Sequence, residues 1–123
     1  MSFFRSERGA VAVEFALVLP ILLMILVGIM EFGKAYNTQI SLTHTARETA
    51  RSMVVNNDKA AAEATGIAAA GFLNTDEMDI DFSSDTCAED QMLEVVVAYP
   101  HDALTGIFDD MTITGKAAMR CGG

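Results

Sequence analysis

The chain has 123 residues with 8 basic and 17 acidic side chains, a net charge of −9. Such acidity argues against a nucleic-acid partner, because phosphate contacts need clustered Lys and Arg. The length leaves room for one small domain beside any membrane segment.

Residues 1–9, MSFFRSERG, form a short charged leader. The apolar run that follows, residues 10–30, has Glu14 as its single charged residue. At 1.5 Å per residue it makes roughly 31 Å of helix, which matches a hydrocarbon layer of about 30 Å. No polar face recurs at helical spacing, so the run reads as a transmembrane helix and not as an amphipathic core helix. It exceeds the core of an ordinary secretory signal, and no A-x-A cleavage pattern follows Met30. If the chain is cut, Gly9 is the better place, leaving the span on the mature protein. Pro20 lies mid-span, lacks an N–H for the carbonyl of Ala16, and predicts a helix kink.

Arg5 and Arg8 precede the span against Glu7, whereas the remaining 6 basic and 15 acidic residues follow it, apart from Glu14 within it. Positive charge marks the cytoplasmic end of a span, so the N-terminus is expected inside and the body outside. In a bacterium that means a single pass through the inner membrane with a periplasmic body. Glu14 is the sharpest residue of the span. A carboxylate in lipid is expensive and normally has a partner, although a position near the interface would let it snorkel.

Past the membrane, residues 31–56 read as a helical stalk. Phe32, Ala35, Leu42, Ala46, Ala50 and Met53 recur at steps near three and four, with Gln39 in the gap. The Asn56-Asn57-Asp58 cluster predicts a stop and a new cap, opening a second helix over about Lys59 to Leu73. Gly66 and Gly71 weaken that helix. Residues 57–123 form a small exported body. Met78, Ile80 and Phe82 alternate with Asp79 and Asp81 as a strand with one acidic face. Leu93 to Tyr99 is β-branched, stops at Pro100 and reads as a buried strand. Met111 to Met119 reads as a third strand with Ile113 toward the core. The expected class is α+β, with the long helix packed on a small antiparallel sheet.

Cys87 and Cys121 both fall in the exported part, where an oxidising compartment favours a disulfide over two free thiols. Neither lies in a CxxC motif. Asp79, Asp81, Ser83, Asp85 and Asp90 have a loose calcium-loop spacing. Ser84 stands where such a loop needs glycine, Cys87 occupies another ligand position, and the alternation favours a strand. His44 and His101 lie apart, on a helix surface and in a turn. No phosphate loop, nucleophile elbow or metal motif is present, so neither catalysis nor a cofactor is expected.

The arrangement of Gly9, four small or apolar residues, then Glu14 and Phe15 resembles the processing site of type IV-like prepilins. The longer pattern, GAVAVEFALVLP from Gly9 to Pro20 and GIMEFGKA from Gly28 to Ala35, is similar to TadE-like pseudopilins of the tight-adherence (Flp) pilus system. The resemblance runs over residues 5 to 53. It implies cutting between Gly9 and Ala10 by a membrane aspartyl prepilin peptidase, then a structural part in pilus assembly with other pilin-like subunits and the Tad machinery. Cutting there would free the α-amino group of Ala10 as a cationic partner for Glu14. The rival expectation is an uncleaved single-pass anchor whose acidic body binds a partner.

Overall fold

The computed structural model describes residues 3–101, 103–106 and 111–122, with side chains described from Glu7 onward. Met1, Ser2 and the Arg5 side chain of the leader lie outside the described residues. Two helices precede three strands: α1 (Phe3–Asn56), α2 (Lys59–Ala69), β1 (Asp79–Phe82), β2 (Met92–Pro100) and β3 (Thr112–Arg120). The chain divides into two units, Met1–Gly33 and Lys34–Gly123.

The first unit is the apolar part of α1. Residues 7–30 are all exposed, large apolar side chains such as Val11, Leu17, Met24 and Ile29 included. A helix apolar on every side, with no part of its own unit covering it, is suited to lipid. The segment is long and apolar enough to cross a membrane, consistent with a single membrane anchor. Phe32, assigned from spacing to the inward stripe, is instead 75% exposed and belongs to this unit.

In the second unit, the rest of α1 lies against the sheet. Leu42, Ala46, Ala50 and Met53 are fully buried and share one core with Leu93, Val95, Val97, Tyr99 and Ile113. Small alanines at steps of four let the strands approach the helix closely, and each large side chain buried contributes about 1.5–3 kcal/mol. Thr38, Thr45, Thr49 and Ser52 are buried beside the apolar stripe. Thr45 and Thr49 satisfy their hydroxyls within the helix, donating to the carbonyls of Ser41 and Thr45 at 2.9 and 2.7 Å. The periodic apolar pattern alone misses them.

Asn57, with φ of 49°, ends α1 through a bond from its N–H to the Met53 carbonyl. Asp58 then caps α2, its carboxylate accepting from the N–H groups of Ala60 and Ala61. α2 stops at Ala69 and not at Leu73, because Gly71 takes a φ of 65°, a left-handed turn that reverses the chain. Gly66 is a close-approach site: a Cβ there would collide with the Thr49 hydroxyl.

The sheet has order β1-β2-β3 and is antiparallel throughout. Leu93, Val95, Val97 and Tyr99 are buried, whereas Met92, Glu94 and Pro100 are exposed. β2 is therefore covered on one face and not on both, since the helices lie on a single side. Pro100 pairs with Thr112 beyond the end of the β1 ladder, so its missing N–H leaves no gap on that side. In β1, Ile80 and Phe82 turn toward the core while Asp79 and Asp81 stay exposed.

Candidate functional site

Gly9, Ala10, Glu14, Phe15 and Pro20 all lie on α1 within the first unit. Ala10 and Glu14 stand one helical turn apart, on the same face, and both are exposed. Phe15 is 61% exposed. A Cβ added at Gly9 would meet nothing within 4 Å. The chain's own packing thus gives no reason for a glycine at this position. The helix continues without interruption through Pro20. These residues form a linear, exposed segment of α1.

Residues 9–51 match the TadE-like protein family. The TadE-like segment begins at Gly9 and runs through the apolar helix into the packed half of α1, ending short of the α1 terminus. No curated protein and no solved structure matches the chain.

Outside the TadE-like segment, Cys87 and Cys121 form a disulfide with their Cα atoms 5.5 Å apart. Asn57 holds this region against the end of α1, its side-chain oxygen accepting from the Cys87 N–H at 2.7 Å. The Cys121 N–H donates to the Gln91 carbonyl, and its carbonyl accepts from Asp90. Closing a loop of this length stabilises the unit by about 3–4 kcal/mol in the chain-entropy picture.

The acidic residues are distributed and partly paired. Lys59 Nζ donates to Asp85 at 2.9 Å and sits 5.4 Å from the centre of the Phe82 ring. The hydrogen bond from Lys59 to Asp85, and then the charge of that carboxylate, raise the Lys59 ammonium above its ordinary value of 10.5. Arg120 pairs with Asp90 at 3.1 Å. Among the described residues no group of three His, Cys, Asp or Glu side chains is arranged to hold a metal. His44 is exposed on α1, in a shallow groove with Tyr36, Ile40 and Arg47. His101, expected in a turn, is buried, and its backbone N–H donates to the Met111 carbonyl at 2.7 Å.

Proposed function

We propose that the chain is a minor pseudopilin. It is inserted with its N-terminus in the cytoplasm and its body in the periplasm, then cut between Gly9 and Ala10 by a membrane aspartyl prepilin peptidase. Residues 1–9 are the leader, 10–30 the span, 31–56 the stalk and 57–123 the body. The mature subunit takes part in Flp (Tad) pilus assembly with other pilin-like proteins. The peptidase is the catalyst and this chain is its substrate.

The supporting observation is the TadE-like match that starts at Gly9, a residue whose missing side chain serves no packing purpose in the chain itself. A peptidase that needs backbone access beside an apolar helix supplies the reason. After cutting, the Ala10 ammonium and the Glu14 carboxylate lie at membrane depth, where an unpaired charge is costly and an opposite charge offsets part of the cost. A neighbouring subunit's amine reaches Glu14 more easily than the frayed first turn of the same helix, making Glu14 a register contact between spans. Intact-mass measurement of protein extracted from peptidase-bearing cells tests this reading. The expected species begins at Ala10; a species retaining Met1 to Gly9 overturns it and leaves an uncleaved anchor. Glu14→Leu should still insert and be cut but fail to support piliation, and normal piliation with it would remove the assembly role.

A further inference from the structure

The order β1-β2-β3 leaves the sheet of the second unit with two edges, one along β1 and one along β3. Backbone groups alternate in direction along a strand, so those facing β2 can be told from those facing out. The Cys121 N–H donates to the Gln91 carbonyl, and the Met111 carbonyl accepts from His101, both between β3 and β2. The odd-numbered residues of β3 therefore bond to β2, and Thr112, Thr114, Lys116, Ala118 and Arg120 turn their backbone groups outward. The Thr114 carbonyl agrees with this, since it accepts from the Gln39 side chain of α1 at 2.7 Å. On β1 the Ser83 N–H donates to the Glu94 carbonyl, so Ile80 and Phe82 are the residues whose backbone groups face out.

The two edges differ in charge. On the open face of the sheet β3 carries Lys116 and Arg120, whereas β1 carries Asp79 and Asp81, all of them exposed. The helix layer repeats the division. Gly115 of β3 rests on the α1 backbone, where a Cβ would come within 2.6 Å of the Leu42 carbonyl oxygen and the Thr43 nitrogen. The α1 flank on that side runs from Gln39 and Thr43 to Arg47 in steps of four, along a groove that Ile40 also lines. α2 lies beside β1 instead: Gly66 is next to the Ile80 side chain, and Glu63 and Ile67 share a groove with Met78 and Asp79. Lys59, a cation on that side, is held by Asp85.

We propose that the β3 edge of one chain receives β1 of a second copy as a parallel neighbour, with Lys116 opposite Asp79 and Ala118 opposite Asp81. In a parallel pair, a residue whose backbone points at the partner strand stands opposite one whose backbone points away. Lys116 and Ala118 are of the first kind and Asp79 and Asp81 of the second, and all four side chains are on the open face. Both copies then keep their helices on one side, and the two layers continue across the junction. An antiparallel pair of β3 with β1 sets Lys116 against Ile80 or Phe82, which turns the helices of the second copy to the other side. Pairing β3 with β3 keeps the layers but brings Lys116 and Arg120 against the same cations, and pairing β1 with β1 does so for Asp79 and Asp81. Like charges on facing strands repel. Gln39 sets the offset, because the Thr114 carbonyl is taken. With Lys116 opposite Asp79, the junction uses the outward groups of Lys116, Ala118 and Arg120, and Asp81 falls between the Lys116 and Arg120 side chains. A lysine on an edge strand deters strands in general, and opposite an aspartate it selects one. All of these residues belong to the second unit, so the contact does not depend on whether residues 1–9 are removed.

Cross-linking of the full chain in detergent tests the pairing. A chain with Ala118→Cys is mixed with one carrying Asp81→Cys, and thiols are joined by mild oxidation. Uptake of one alkyl group per chain without reductant, before oxidation, verifies that the Cys87–Cys121 bond has formed. Ser83→Cys, one diagonal step away, replaces Asp81→Cys if that chain fails the check. The mixture should give several-fold more linked dimer than either chain alone. Lys116→Glu added to the first chain should lower the yield several-fold, and Asp79→Lys added to the second should restore it. A mixture no richer in dimer than the single chains overturns a second copy as the occupant of the β3 edge. As much dimer from Ala118→Cys alone overturns the pairing of β3 with β1. A yield indifferent to Lys116→Glu overturns the opposition of Lys116 and Asp79.

Discussion

α1 belongs to both units, and its two halves have different surfaces. From Ala10 to Met30 its side chains are exposed on every side, and all but Glu14 are uncharged. From Lys34 onward the fully buried apolar positions narrow to Leu42, Ala46, Ala50 and Met53, and Arg47 and Arg51 appear on the opposite face. Helix propensity is satisfied in both halves, so it does not distinguish them. The distinction lies in what surrounds each half. An all-round apolar surface suits lipid, and a stripe suits a partner that covers one side. The TadE-like match spans the change from one regime to the other.

Paired substitutions test that contrast most strongly. Leu42→Ala should destabilise the second unit by about 2–5 kcal/mol, because it leaves a cavity against the sheet. Leu22→Ala, an equal truncation in the first unit, should leave the denaturation midpoint of the body unchanged. Urea titration followed by circular dichroism of both variants checks this, and equal shifts would erase the difference between the halves. Next in size, replacing Cys87 and Cys121 by serine should cost about 3–4 kcal/mol. Reductant should therefore lower the wild-type midpoint to that of the double variant and leave the latter unmoved.

A smaller effect is expected at the α1–α2 contact. Gly66→Ala forces its Cβ into the Thr49 hydroxyl and should cost about 1–3 kcal/mol. Thr49→Ala in the same chain removes the clash and should recover much of the loss. The smallest effect is electrostatic. Asp85 raises the Lys59 ammonium, so the stabilisation is fully present below the ordinary lysine value of 10.5 and is lost as pH rises through the higher folded value. Lys59→Met should remove only this alkaline part of the stability profile, measured by thermal unfolding between neutral and strongly alkaline pH. Salt should weaken the same contribution, since both partners are accessible to water.

The elements that could be read from the chain are those whose signals are local. A long unbroken apolar run, the Asn-Asn-Asp stop, and the alternation around Ile80 each depend on neighbours within a few residues. The α+β class followed from them. What escaped depends on contacts between distant residues. Gly66 reads as a weakness in a helix until Thr49 is known to lie against it. Gly71 gives no hint that its φ will be positive, so α2 reads four residues too long. Leu93 to Tyr99 is as β-branched as a doubly covered strand, and only the one-sided placement of the helices shows that it is half-buried. Phe32 fits the inward spacing, but the spacing does not say where the packed part of the helix begins. In the N-terminal segment, Gly9 and Glu14 were conspicuous because each is chemically out of place in its setting, whereas nothing local marked His101 as buried.

The seat of Gly115 on Leu42 also has a consequence for the order of events in a new chain. The stripe of Leu42, Ala46, Ala50 and Met53 is made early in synthesis, yet the strand that presses on Leu42 is the last element of the chain. Contacts so far apart in sequence close slowly, since the intervening loop entropy must be overcome first. Until β3 emerges, β2 can cover part of the stripe, but the α1 backbone at Leu42 and Thr43 lacks the strand that Gly115 seats on it. Completion of β3 supplies that cover and brings Cys121 to Cys87.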